Sequence, residues 1–256
     1  MEKGPAASGS IEDRLQHPAF RQPKDFDVKV WRYMDLAKYI WLLTKSRLVF
    51  TRLDELADQH EGTLTARTVE WMKRFIQENK TKDGWDVISK MFQDSRRTTF
   101  VCCWHAGNYE SEAMWRLYCG PAGSVAIQTT YRRLVEFAAG HLDVYIGCVN
   151  YIDYERDNFP VANAFIPPMH KRMAFAHEHE VRLVYSPAAY RGSFDPLRVP
   201  LIETFPWDCR QMVERIHVSP YAPEYFFEAV RATTHMADPT LEARLVWSYI
   251  KGAPVL

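Results

Sequence analysis

The run PMHKRMAFAHEHEVRLVY, Pro168 to Tyr185, carries the densest group of chemically able side chains in the sequence. His177, Glu178, His179, Glu180 and Arg182 place two imidazoles, two carboxylates and a guanidinium within six residues. In extended chain, successive side chains point to opposite faces. Glu178, Glu180 and Arg182 would then form one row, with His177 and His179 on the other side. A carboxylate pair can accept a sugar hydroxyl, stabilise positive charge developing on carbon, or take a proton. The same row can also serve as a plain ladder of ion pairs. His177 and His179, completed by His170 or His60, could offer imidazoles to a metal, although His-x-His alone is a weak ligand pattern.

The elements that would position these groups follow from hydrophobic spacing. Met169, Met173 and Ala176 recur at helical intervals, and Val181, Leu183 and Tyr185 alternate, so a short helix leading into a strand is expected. Earlier, Val28–Tyr33 reads as a strand with Val28, Val30 and Arg32 on one face and Trp31 and Tyr33 on the other. Asp35 is placed to cap a helix carrying Leu36, Tyr39, Ile40 and Leu43. Leu48–Thr51 is a second strand, and a polar loop from Asp54 to Gly62 follows it. Helices are expected over Thr63–Asn79, Trp85–Phe92, Ser111–Tyr118, Tyr131–Ala139 and Pro223–Thr234. Strands are expected over Thr98–Trp104, Ser124–Thr129, Val144–Ile152, Leu197–Ile202, Arg215–Val218 and Leu245–Tyr249. Gly120–Gly123 reads as a break.

Composition narrows the class. The chain has 256 residues, 47% hydrophobic and 14% aromatic, which is enough for a real core. Lysine plus arginine equals aspartate plus glutamate at 32 each, so broad electrostatic adhesion to nucleic acid or acidic membranes is not expected. Five cysteines without a CxxC pair point to a reducing cytoplasm, and Cys102 and Cys103 read as inert core thiols. No apolar run approaches membrane-spanning length. Residues Met1 to about Asp27 are small and polar and read as a mobile arm, with Phe20 and Phe26 available to dock it. The remainder, 28–256, reads as one α+β domain with a bent, mostly antiparallel sheet and surrounding helices, because strands and helices mix without a βαβ rhythm.

The ordered set WRYMD, LVFTRLDELADQHEG, FVCCWH, MWRLYCGPAGSVAI, HKRMAFAHEHEVRLVY, IHVSPYAPEYFFEAV and LVWSY resembles the bacterial domain-of-unknown-function family 2971. Its most specific portions are MWRLYCG…GSVAI and the KxxxFxxExExR arrangement from Lys171 to Arg182. Where the family has Asn-Asp-Pro-Phe-Glu, this chain has Ala57-Asp58-Gln59-His60-Glu61, so Asp58 and Glu61 match while the Asn and Pro are lacking.

A second resemblance, to ADP-ribosyltransferases, rests on an early-strand Arg32, a middle position and the late Glu178-x-Glu180. It implies an enzyme that cleaves the nicotinamide–ribose bond of NAD through an oxocarbenium-like transition state. Glu180 would be the catalytic carboxylate, assisted by Glu178. Arg32 and its neighbour Tyr33 would hold the cofactor, and the middle position could be Thr51, a residue near Cys103–His105, Ser111, or none. NAD is then a substrate and no metal is expected. The partners are a nucleotide-like small molecule and an acceptor, protein or nucleic acid. Two other classes fit the same residues. One is a non-catalytic recognition or defence-associated module with ExExR as an ion-pair ladder. The other is a metal-dependent nuclease or hydrolase using Asp58, His60, Glu61 and the HEHE segment.

Overall fold

The computed structural model of the chain describes residues 10–79, 84–118, 123–160, 163–187, 190 and 198–252. In chain order the elements are α1 (Ile11–Leu15), β1 (Lys29–Met34), α2 (Leu36–Lys45), β2 (Arg47–Arg52), α3 (Ala66–Glu78), α4 (Gly84–Thr98), β3 (Phe100–Ala106), α5 (Glu112–Tyr118), β4 (Val125–Thr130) and α6 (Tyr131–Ala139). They continue with β5 (Val144–Cys148), β6 (Asn150–Ile152), β7 (His170–Arg172), β8 (Glu180–Tyr185), β9 (Ile202–Pro206), α7 (Cys209–Met212), β10 (Arg215–Val218), α8 (Glu224–Ala237) and β11 (Leu245–Trp247). Hydrogen-bonded neighbours run β11-β10-β4-β1-β3-β2-β9, with β8 pairing both β3 and β5. The β1–β3, β1–β4, β4–β10, β2–β3 and β5–β8 registers are antiparallel, β10–β11 is parallel, and β6 and β7 form a small parallel pair of their own. The fold is α+β, a mostly antiparallel sheet with surrounding helices, as the mixed order of elements implies. No described helix is long and apolar enough to cross a membrane.

The chain divides into two compact units. The first comprises Met1–Pro23, Phe50–Cys102 and Phe137–Glu203. Its core includes Phe20, Leu53, Phe100, Val144, Ile146, Val181, Leu183 and Val184. The β5–β8 ladder is continuous from Val144 opposite Tyr185 to Cys148 opposite Val181. The expected strand Val144–Ile152 is in fact two: β5 pairs with β8, whereas β6 leaves to pair with β7. Gly147 marks the crowded point, because a Cβ there would stand 2.8 Å from the Cα of Phe20.

The segment expected to be a mobile arm is instead structured from Ser10 onward. Ser10 and Asp13 form a capping box at α1. The Arg14 guanidinium donates to the carbonyls of Ala138, His141 and Val144 at 2.9, 2.9 and 2.5 Å. Phe20 is 2% exposed and stacks on Tyr145 at 5.1 Å. Small and polar composition misleads here because one arginine and one phenylalanine supply the attachment.

The second unit comprises Lys24–Val49, Cys103–Glu136 and Thr204–Leu256. Strands β1, β4, β10 and β11 carry it. Asp35 caps α2 as expected, accepting from the Lys38 N–H at 2.8 Å, and Ser46 ends the helix at φ 49°. Tyr39, Leu42 and Leu43 are the buried face of α2. A tight apolar group of Trp31, Tyr33, Met114, Trp115 and Ala126 lies between strands and α5. The strand expected at Leu197–Ile202 begins only at Ile202 (residue 197 lies outside the described residues, as do 120–122 of the expected break). The closing strand is shortened to Leu245–Trp247 because Ser248 accepts from the Ile250 N–H and starts a 3₁₀ turn.

Candidate functional site

The chemistry-rich run folds differently from a helix followed by a strand. His170–Arg172 is strand β7, Met173–Glu178 is a 3₁₀ turn, and His179 sits in the left-handed region at φ 41°. Glu180 then opens β8. Glu178 is therefore not in extended chain with Glu180, and the single alternating row does not form. The reversal at His179 has the opposite consequence for the acids: both glutamate side chains are buried and His179 is exposed.

Five charged side chains meet in the first unit. The Lys171 Nζ lies 3.1 Å from Glu61 Oε1 and 3.3 Å from Glu180 Oε2, and it also donates to Glu178 Oε2. Arg182 is fully buried and grips Glu180 through both oxygens, Nε to Oε1 at 2.6 Å and Nη2 to Oε2 at 2.9 Å. Its Nη1 donates to Glu61 Oε2 at 3.1 Å and to the Pro168 carbonyl at 2.5 Å. The Phe175 ring lies 4.8 Å from the Lys171 ammonium. Lys171, Phe175, Glu178, Glu180 and Arg182, the KxxxFxxExExR positions, thus come together around one point.

The fifth member arrives from the loop after β2. Glu61 is 2% exposed, and the next residue is Gly62 at φ 70°. A Cβ on Gly62 would meet Leu53 Cδ2 at 2.4 Å, so both conformation and packing demand glycine there. Asp58, three residues earlier in the same loop, receives Arg172 Nη2 at 2.9 Å. The loop residues Asp58 and Glu61 are therefore docked on neighbouring members of the His170-Lys171-Arg172 strand. Lys171 and Glu61 are absent from the transferase site expected from the sequence; their signals were the KxxxFxxExExR spacing and the acidic loop after β2.

Electrostatics follow from the census of three carboxylates and two cations. Burial works against the Lys171 charge, but the carboxylates of Glu180 and Glu61 and the bond to Glu178 outweigh it and raise its pKa. Burial raises the Glu178 carboxyl above the ordinary range, with Lys171 opposing only part of the shift. A proton on Glu178 would bring the five groups to neutrality.

The remaining expected residues are placed as follows. Thr51 lies in β2 opposite Val101, half-buried, in the same unit as the glutamates. Arg32 and Tyr33 belong to the other unit. There the Arg32 Nη2 donates to the Val49 carbonyl at 3.1 Å, and its guanidinium lies 6.0 Å from the Trp104 ring. Tyr33 is buried, accepts from the Ser111 N–H at 3.0 Å and meets Trp115 edge-on at 4.9 Å. Among the described residues no group of three or more His, Cys, Asp or Glu side chains is arranged to hold a metal ion. The three glutamates that do converge enclose the Lys171 ammonium. His60, His177 and His179 are all exposed, so these imidazoles do not share the glutamates' burial. Cys102 is 1% exposed, whereas Cys103 is only half-buried, a correction to the expectation that both are core thiols.

The second unit holds its own buried carboxylate. Glu110 accepts from Trp115 Nε1 at 2.8 Å, Ser248 Oγ at 2.5 Å and the Tyr249 N–H at 2.7 Å, with His217 Nδ1 3.5 Å away. Burial opposes its charge, yet these contacts together hold its carboxyl below the ordinary range.

Comparison with protein-family models, with curated proteins and with solved structures finds no match for this chain.

Proposed function

We propose that the chain is a non-catalytic recognition module, in which Glu61, Lys171, Glu178, Glu180 and Arg182 form a structural ion-pair centre. One observation carries the reading: both oxygens of Glu180 are already occupied by the Arg182 fork, and Lys171 shares the second oxygen. A carboxylate that must meet a ribose or take a proton needs an oxygen directed at its substrate. The arginine fork and the Lys171 ammonium together take three of the roughly four lone-pair sites of the carboxylate and fix the group. The half-buried and buried thiols of Cys102, Cys103, Cys148 and Cys209, none in a disulfide, support a reducing cytoplasm as the working compartment.

The test separates this reading from NAD-dependent ADP-ribosyl transfer. Wild type and Glu180→Gln are incubated with NAD, with protein and nucleic-acid acceptors supplied, and followed by nicotinamide release and by chemical unfolding. The expected result is no release above buffer, together with a loss of about 3–5 kcal/mol in the variant, the usual cost of breaking a buried pair from one side. NAD cleavage by the wild type that disappears in Glu180→Gln, with stability retained, would overturn the module and establish the transferase.

A further inference from the structure

The second unit contains an open cleft of about 520 Å³ lined by Lys29, Gln128, Arg133, Arg210, Val213, Glu214, Arg215 and Arg244. Its origin lies in strand register. Gln128 of β4 stands opposite Trp31 of β1 on one side and Arg215 of β10 on the other. Directly opposed residues in antiparallel strands point to the same face. Lys29, two residues before Trp31, therefore shares that face with Gln128 and Arg215. Arg133 comes from the first turn of α6, Arg210 from α7, and Arg244 from the turn before β11.

Positive charge in the cleft is under-compensated. Among the described residues Glu214 is the one carboxylate in the lining, and two cations divide it: Lys29 Nζ at 2.7 Å and Arg133 Nη1 at 3.6 Å. Arg210 is taken by Asp238, outside the lining. Arg244 is held by backbone carbonyls, those of Arg210 at 2.8 Å and Cys209 at 3.4 Å and that of Val213, so it is fixed in place without losing its charge. Arg215 is exposed and meets no carboxylate among the described residues. A neutral chain has thus gathered five cations around one cavity of small-molecule size.

We infer that this cleft binds a compact polyanion, a ligand carrying two or more linked phosphates. Guanidinium groups fit phosphate oxygens in pairs, and those already immobilised lose little freedom on binding. Among the described residues no aromatic side chain lines the cavity, so recognition rests on the phosphates and not on stacking of a base. The Gln128 amide can add an uncharged N–H donor to a phosphate oxygen. The inference stands independently of the role given to the buried glutamates of the first unit.

The experiment is calorimetric titration of the full chain with orthophosphate, pyrophosphate and tripolyphosphate at low and moderate salt. Affinity should rise along that series and fall with salt. Arg215→Ala should weaken tripolyphosphate by about tenfold or more, the loss of a charge-assisted contact. Gln128→Glu should abolish binding, and circular dichroism checks that it folds. Arg215→Ala decides the matter even if Gln128→Glu does not fold, because the Arg215 side chain is exposed. Arg231→Ala, an equal change in net charge on α8 and outside the lining, should leave affinity within about twofold. Absence of binding by all three anions overturns the inference, as does an equal loss in Arg231→Ala. Arg215-dependent binding of a single-stranded oligonucleotide, with none of tripolyphosphate, would overturn it in favour of a nucleic-acid backbone.

Discussion

Lys171 shows how much of the first unit depends on one ammonium. Three carboxylates approach it, and without it Glu178 loses its nearest cation while Glu61 keeps one of two, Arg182. Lys171→Met keeps the stem and removes the charge, and should cost about 3–5 kcal/mol in urea unfolding because buried carboxylates are left uncompensated. Replacing the centre wholesale by apolar residues is expected to be milder, since both partners of each pair go together. Glu178 gives a pH signature. Its folded-state pKa lies above its unfolded value, so the folded state holds the proton more tightly. The stability it contributes is full below about pH 4.3 and is lost as pH rises through the folded pKa. Glu110 acts oppositely, its contribution being lost as pH falls through its depressed pKa. Comparing wild type with Glu178→Gln therefore isolates the first effect. The variant's stability relative to wild type should rise from about pH 4 to pH 7, and a flat difference would contradict the assignment.

At the scale of elements, the sequence was legible wherever local rules and packing agree. The Asp35 cap and α2, strand β4 and helix α6 were all expected within a residue or two, because periodicity, capping and the following break point the same way. The acidic run was harder. Glu178 and Glu180 look like alternate strand positions, and only the left-handed backbone at His179 shows that a turn ends between them. A non-glycine residue in that region carries no sequence mark. Glycine at position 179 should be tolerated, whereas His179→Val should destabilise and disturb the glutamate contacts, which unfolding of both variants would check. Composition likewise misleads at the start of the chain. Phe20→Ala should cost about 3–5 kcal/mol, as for a buried aromatic, and not the small change expected of a loose arm. Deletion through Pro23 should lower the melting temperature sharply, since it removes Arg14 from three carbonyls as well.

Across the whole molecule, the ion-pair centre divides into what is near in sequence and what is far. Lys171, Glu178, Glu180 and Arg182 lie within a dozen residues of one another and carry balanced charge. Glu61 is 121 residues from Arg182, and its arrival supplies the surplus negative charge. The local four can associate as soon as that hairpin-sized segment orders, while Glu61 must first close a long loop and then shed its water. Docking of Glu61 therefore belongs on the native side of the folding barrier. Glu61→Gln should act chiefly by changing the unfolding rate, with refolding nearly untouched, whereas Arg182→Met should slow refolding as well. Stopped-flow chevrons of the two variants would show it, and a matched slowing of refolding by both would place the loop in the nucleus. The lifetime of the native state, more than its speed of formation, is then set by a single glutamate at the end of a surface loop.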